Sequence, residues 1–188
     1  IHAKTGPQRN WGDVANMWRT TEDITNAWDT GQTNGYPMGI QNIVNVTVPL
    51  AGYARPGAFN DPDMMEVGRG GLTDTEMRSH FALWTILAAP LIAGNDIRSM
   101  NSATQTILKN QNLIAIDQDS LGLQATQVSN DGTRRVLAPI AFVPVRLTLK
   151  KGRAPSVELE GAEAGVDRVA PNTALLAWVE QQTGQPFG

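Results

Sequence analysis

The sequence predicts an α/β fold assembled from consecutive strand-helix units, and three observations carry that expectation. At 74 to 89, "DTEMRSHFALWTILAA" repeats Met77, Phe81, Trp84 and Leu87 at three- and four-residue steps, the period of one helical face. Polar clusters near Asp23, at Asp61 to Asp63 and at Asn95 to Asp96 recur about every 30 to 40 residues, the length of a strand, a helix and their loops. The clusters follow short apolar or strand-like runs, so polar groups fall at strand ends. Such units suggest a (β/α)8 barrel. Only about three are present where a closed barrel has eight, so the expectation is a partial TIM barrel.

The helix at 74 to 89 is bounded by a capping box, Thr73 with Glu76, and by Pro90 as its stop. "PLIAG" then reads as a buried strand ending at Gly94, and "GNDIRSM" as the polar segment after it. A second helix pattern covers Ser102 to Lys109, followed by "NLIAIDQD" and a turn at "SLG". Upstream, "GIQNIVNVTVPLAGYA" places Ile40, Ile43, Val44, Val48 and Ala51 on one helical face, although its valines weaken the helix. The strand before "NDPD" is very short, near "GAF".

From about Ala138 the character changes, dividing the chain into 1–137 and an unassigned tail, 138–188. There "FVPVRLTLKKG" alternates Val143, Val145, Leu147 and Leu149 as a half-buried strand would, and "NTALLAWVEQQTG" resembles a short helix ended by Gly184. The turn-rich, charged stretch between them gives no clear pattern.

Composition excludes several functions. A net charge of -3 with no basic face argues against nucleic acid. No stretch is long and apolar enough to span a membrane as a helix. Without cysteine there is no disulfide framework or thiolate metal site, and two histidines do not make a typical zinc set. No metal or cofactor is expected. "DPDMME" lacks the glycine-centred loop of an EF-hand, and "GRGG" at 68 to 71 lacks the Lys-Ser/Thr of a phosphate loop. "NVT" at Asn45 fits a glycosylation acceptor, and His80 reads as a helix-face packing residue.

Two segments hold the candidate chemistry. In "FNDPDMMEVG", Asp61 and Asp63 flank Pro62; two neighbouring carboxylates need hydrogen-bond donors or a function, and an Asx turn alone would also account for them. In "MWRTTEDI", Arg19 and Asp23 lie one helical turn apart if the chain turns helical after a strand. A guanidinium there would hold a carboxylate or a sugar hydroxyl; the plainer reading is a helix-capping Asp beside a surface Arg. Trp18, Trp28 and Trp84 read as core.

Together "MWRTTEDI", "FNDPDMMEVGRGGLTDTEMRSHFALWTILAAPLIAGNDIRSM" and "LIAIDQDSLGLQ" closely resemble the melibiase-type α-galactosidases of glycoside hydrolase family 27, in order and spacing, over roughly residues 8 to 137. The resemblance implies the last units of a (β/α)8 barrel, followed in the family by an antiparallel β-domain. It makes Asp23 the counterpart of the general acid/base, with Arg19 contacting sugar hydroxyls. Asp63 matches a position that hydrogen-bonds galactose and Met64 one lining the same pocket, with Asp61 and Trp18 in support.

The implied reaction is retaining hydrolysis of terminal α-D-galactosyl residues in oligosaccharides or glycosides. The family's nucleophile, an Asp at the end of the fourth strand, has no match here, so the expectation is a fragment inactive by itself, with sheet edges open to self-association. A carbohydrate-binding or structural remnant is the alternative from another class. The region that helps choose the sugar falls near Ala3 or Gly6, which leaves α-N-acetylgalactosaminides and β-L-arabinopyranosides as alternative substrates. The tail would be a β-domain start, a fusion or the product of a frameshift.

Overall fold

In a computed structural model, residues 11–131, 135–139, 145–148 and 156–159 are described. The helix expected at 172 to 184 and the positions at Ala3 and Gly6 lie outside them.

The organising feature is a parallel pair of very short strands. Strand β1 (Met17–Arg19) runs beside β2 (Phe59–Asp61) in the register Met17 to Phe59, Trp18 to Asn60 and Arg19 to Asp61. Parallel neighbours need a crossover connection. Here it contains helix α1 (Ile40–Thr47) and a 3-10 segment, Val48–Tyr53, which between them bury Ile40, Ile43, Val44 and Val48. The valines that lower helix propensity coincide with the change from α to 3-10 winding, and Pro49 adds its own limit there.

Helix α2 (Asp74–Ile86) returns the chain from β2 toward a third parallel contact, the bridge between Met65 and Ala93. Its capping box is present: Thr73 Oγ1 accepts from the Glu76 N–H, and Glu76 Oε2 accepts from the Thr73 N–H at 2.8 Å. It ends before Pro90. Leu87 caps it, and Ala88 turns left-handed at φ 49°, so the chain reverses two residues ahead of the proline. "PLIAG" contributes one bridge in place of a regular strand.

Helix α3 (Ser102–Leu108) matches the expected span to within a residue, and the first six residues of "NLIAIDQD" lie in a further helix, α4 (Gln111–Asp117), capped by Asn110. The hydrophobic core joins α1, α2, α3 and α4 to the parallel strand ends, with Trp84, Phe81, Ile43 and Leu113 essentially inaccessible.

Beyond it, β3 (Ala125–Asn130) and β4 (Arg135–Pro139) form an antiparallel hairpin with an irregularity between Gln127 and Ser129. The boundary read at 137/138 falls inside β4. Strand β5 (Val145–Thr148), within the alternating segment, pairs antiparallel with β6 (Ser156–Leu159), which formed no recognisable pattern in the sequence.

One local expectation is corrected. Residues 20 to 23 do not turn helical after β1; they bend, and Ile24 instead makes a parallel bridge with Met38. The Thr20 N–H is committed to the Asp61 carbonyl at 3.0 Å and the Met38 N–H bonds Asp23 O, so backbone pairing with the next segments displaces an intrahelical ladder.

Candidate active site

Arg19 ends β1 with its side chain on the face opposite buried Trp18, as strand alternation requires. Its Nη2 lies 3.1 Å from Asp23 Oδ1 and 2.7 Å from Asp63 Oδ2. The bend at 20 to 23, without a helical turn, brings Asp23 back to Arg19. Arg19 thereby joins two carboxylates that follow adjacent parallel strands. The Asp23 side chain is 68% exposed, whereas that of Asp63 is 12% exposed.

Asp63 is held by almost everything around it. Its φ of 83° lies in the left-handed region that disfavours a residue with a Cβ. Asp61 Oδ1 accepts its N–H at 2.9 Å, and the Trp84 indole donates to its carbonyl at 2.8 Å. Its Oδ2 also accepts from the Ile24 N–H, and its Oδ1 from the Met64 N–H. A carboxylate has about four acceptor positions. Arg19, Ile24 and Met64 occupy three of them, leaving one on Oδ1.

Asp61 is buried at the end of β2. Burial pushes its carboxyl above the ordinary range, opposed by the Asp63 N–H and by Arg19. The Asx turn and the loop of the candidate site are therefore one structure, with Asp61 shaping the backbone that presents Asp63. Met64 follows with its thioether between Arg69 and Gly94: Arg69 Nη1 is 4.0 Å from Sδ, and a Cβ added to Gly94 would stand 3.0 Å from it.

Several contributors were hidden in the sequence. Trp84 read as core and is fully buried, yet its N–H anchors the site; a buried indole's need for an acceptor was the available signal. His80 is buried, and its Nε2 accepts from the Glu66 N–H at 2.9 Å, which assigns the ring proton to Nδ1. Burial lowers its pKa to about 3, so it stays neutral. Asp96 in the third polar cluster caps a 3-10 turn and makes two bonds to the Arg98 guanidinium. Asn45 lies in α1 and accepts from Arg135. Among the described residues no group of three or more His, Asp or Glu side chains is placed to hold a metal ion.

Carboxylates grouped around an arginine just beyond the ends of parallel strands stand where α/β barrel enzymes carry their active sites. The chain belongs to the Melibiase_2 family, described as Alpha galactosidase A, which matches residues 2–119. It is 43% identical over 127 residues to "Alpha-galactosidase 2" of Arabidopsis thaliana, covering 68% of this chain and 30% of that protein. The structure resembles α-galactosidase I of Mortierella vinacea with a TM-score of 0.64 at 31% identity, over 67% of this chain and 34% of that one. It also resembles the Saccharomyces cerevisiae α-galactosidase solved with raffinose, with a TM-score of 0.60 at 33% identity, over 62% of this chain and 28% of that one. The chain spans about 30% of the length of the curated relatives it matches.

Proposed function

We propose that this chain is the last part of a (β/α)8 glycosidase barrel, residues 1–137, followed by a separate tail, 138–188. It supplies the acid/base and part of the sugar-binding wall of a retaining α-galactosidase. The observation that carries this reading is Arg19 shared between Asp23 and Asp63 at the ends of adjacent parallel strands. Membership of the family supports the reaction class.

In the reaction, a nucleophilic carboxylate attacks the anomeric carbon while the glycosidic bond breaks, and the protonated Asp23 gives its proton to the departing oxygen. Asp23, now a carboxylate, takes a proton from water as that water displaces the enzyme carboxylate from the sugar. The two carboxyl groups of such a site stand about 5 to 5.5 Å apart. Asp23 is the accessible member of the Arg19 cluster, which suits proton exchange with substrate and water. Asp63 accepts a sugar hydroxyl on its remaining Oδ1 position, Arg19 holds the Asp63 carboxylate and donates to the sugar, and Met64 lines the ring. The nucleophile comes from an upstream strand, so turnover requires residues beyond this chain. Raffinose, present with the yeast relative, exemplifies the galactose-terminated oligosaccharides expected as substrates.

The test compares hydrolysis of a chromogenic α-galactoside by this chain and by a version extended upstream through the preceding barrel strands. Activity confined to the extended form, and lost in Asp23→Asn, supports the reading. Activity of the short chain that survives Asp23→Asn overturns it. Galactose binding without turnover by the extended form would favour a carbohydrate-binding remnant.

A further inference from the structure

Glu66, five residues beyond the end of β2, is almost fully buried; its side chain is 3% exposed and its Oε2 lies 3.0 Å from Arg69 Nε. A buried carboxylate of this kind needs a counter-charge, and Arg69 provides one while remaining 40% exposed. The same guanidinium reaches in two further directions. Its Nη1 donates to the Gly94 carbonyl at 3.3 Å and lies 4.0 Å from Met64 Sδ. Gly94 closes the other side of Met64, because its missing Cβ leaves the room that the thioether fills. Methionine has three rotatable side-chain bonds and no intrinsic preference for one shape. Its conformation at 64 is set by the backbone at Gly94 and by a guanidinium tethered to Glu66.

We infer that Arg69 is a positioning residue for the sugar pocket, holding Met64 in the conformation that lines the substrate. This rests on the proposed glycosidase reading, which assigns Met64 to the pocket wall. Arg69 acts through Met64, so its effect falls on substrate affinity more than on the chemical step.

The experiment is a double-mutant cycle of Arg69→Gln and Met64→Ala in the extended enzyme, accompanied by NMR of its methionine methyl groups. Arg69→Gln is expected to raise KM about fivefold with kcat changed less than about twofold. In the Met64→Ala background the same change should have little further effect, the non-additivity of two residues acting as one. The Met64 methyl resonance should move in Arg69→Gln, and Arg69→Lys should restore it in part. An unmoved methyl resonance, or fully additive KM effects, would overturn the inference. The methyl readout needs no turnover, so an extended protein inactive on α-galactosides sinks the glycosidase reading while still showing whether Arg69 orders Met64.

Discussion

The Trp84 indole N–H donates to the Asp63 carbonyl at 2.8 Å, tying the last turn of α2 to the one described acidic residue with a left-handed backbone. A left-handed φ at a residue bearing a Cβ costs about 1 to 3 kcal/mol and persists only where its surroundings fix it. Trp84 and Asp61 are that fixing pair, one on each side of the residue. Trp84→Phe keeps most of the ring and removes the donor. Urea unfolding should show a loss of about 1 to 3 kcal/mol, and the extended enzyme should show a higher KM as Asp63 relaxes.

Gly71 serves the same loop from outside. Its φ is 84°, and an added Cβ would collide with the Asn26 carbonyl, in the segment that follows Asp23. Gly71→Ala is therefore strained in conformation and in space. Thermal unfolding should detect a destabilisation of at least about 1 kcal/mol, whereas Gly70→Ala, with the same left-handed φ and nothing within 4 Å of its Cβ, should cost less.

The capping box gives a local test. Thr73→Ala removes the acceptor for the Glu76 N–H and should lower stability by about 1 kcal/mol. Circular dichroism should show the native helical signal retained at 25 °C with an earlier thermal midpoint.

Asp117, at the end of α4, provides a pH signature. Burial raises its pKa from 3.8 to about 6, and one side-chain oxygen has no hydrogen-bond partner. The folded state therefore holds its proton more tightly than the unfolded state. This contribution to stability is full below about pH 4, is lost as pH rises toward about 6, and is gone above that. Asp117→Asn should remove the dependence. The variant's gain in urea midpoint over the parent should be larger at pH 7.5 than at pH 5; an equal gain at both would contradict the burial argument.

Elements defined by local chemistry were legible in the sequence. The capping box, the Met77, Phe81 and Trp84 face of α2, and the span of α3 follow from spacing and side-chain type. The parallel strands were harder because each has three residues, too few for a period of two to declare itself. Helical spacing at Arg19 and Asp23 gave the right pair for the wrong reason: long-range backbone pairing at Thr20 and Met38 bends the chain and still closes the contact. The bonds of Trp84 to the Asp63 carbonyl and of Arg69 to the Gly94 carbonyl span 21 and 25 residues, which no local pattern encodes.

The β1 and β2 registers also set a timetable for assembly. Met17 pairs with Phe59, so during synthesis β1 leaves the ribosome well before its partner exists. At about 5 to 20 residues per second that interval is roughly 2 to 8 seconds. Throughout it Trp18, destined to be wholly inaccessible, has no β2 to cover it. The pairing that later places Arg19 beside Asp63 is thus a late, non-local event, and the nascent chain passes through a period in which protection by a chaperone would matter most.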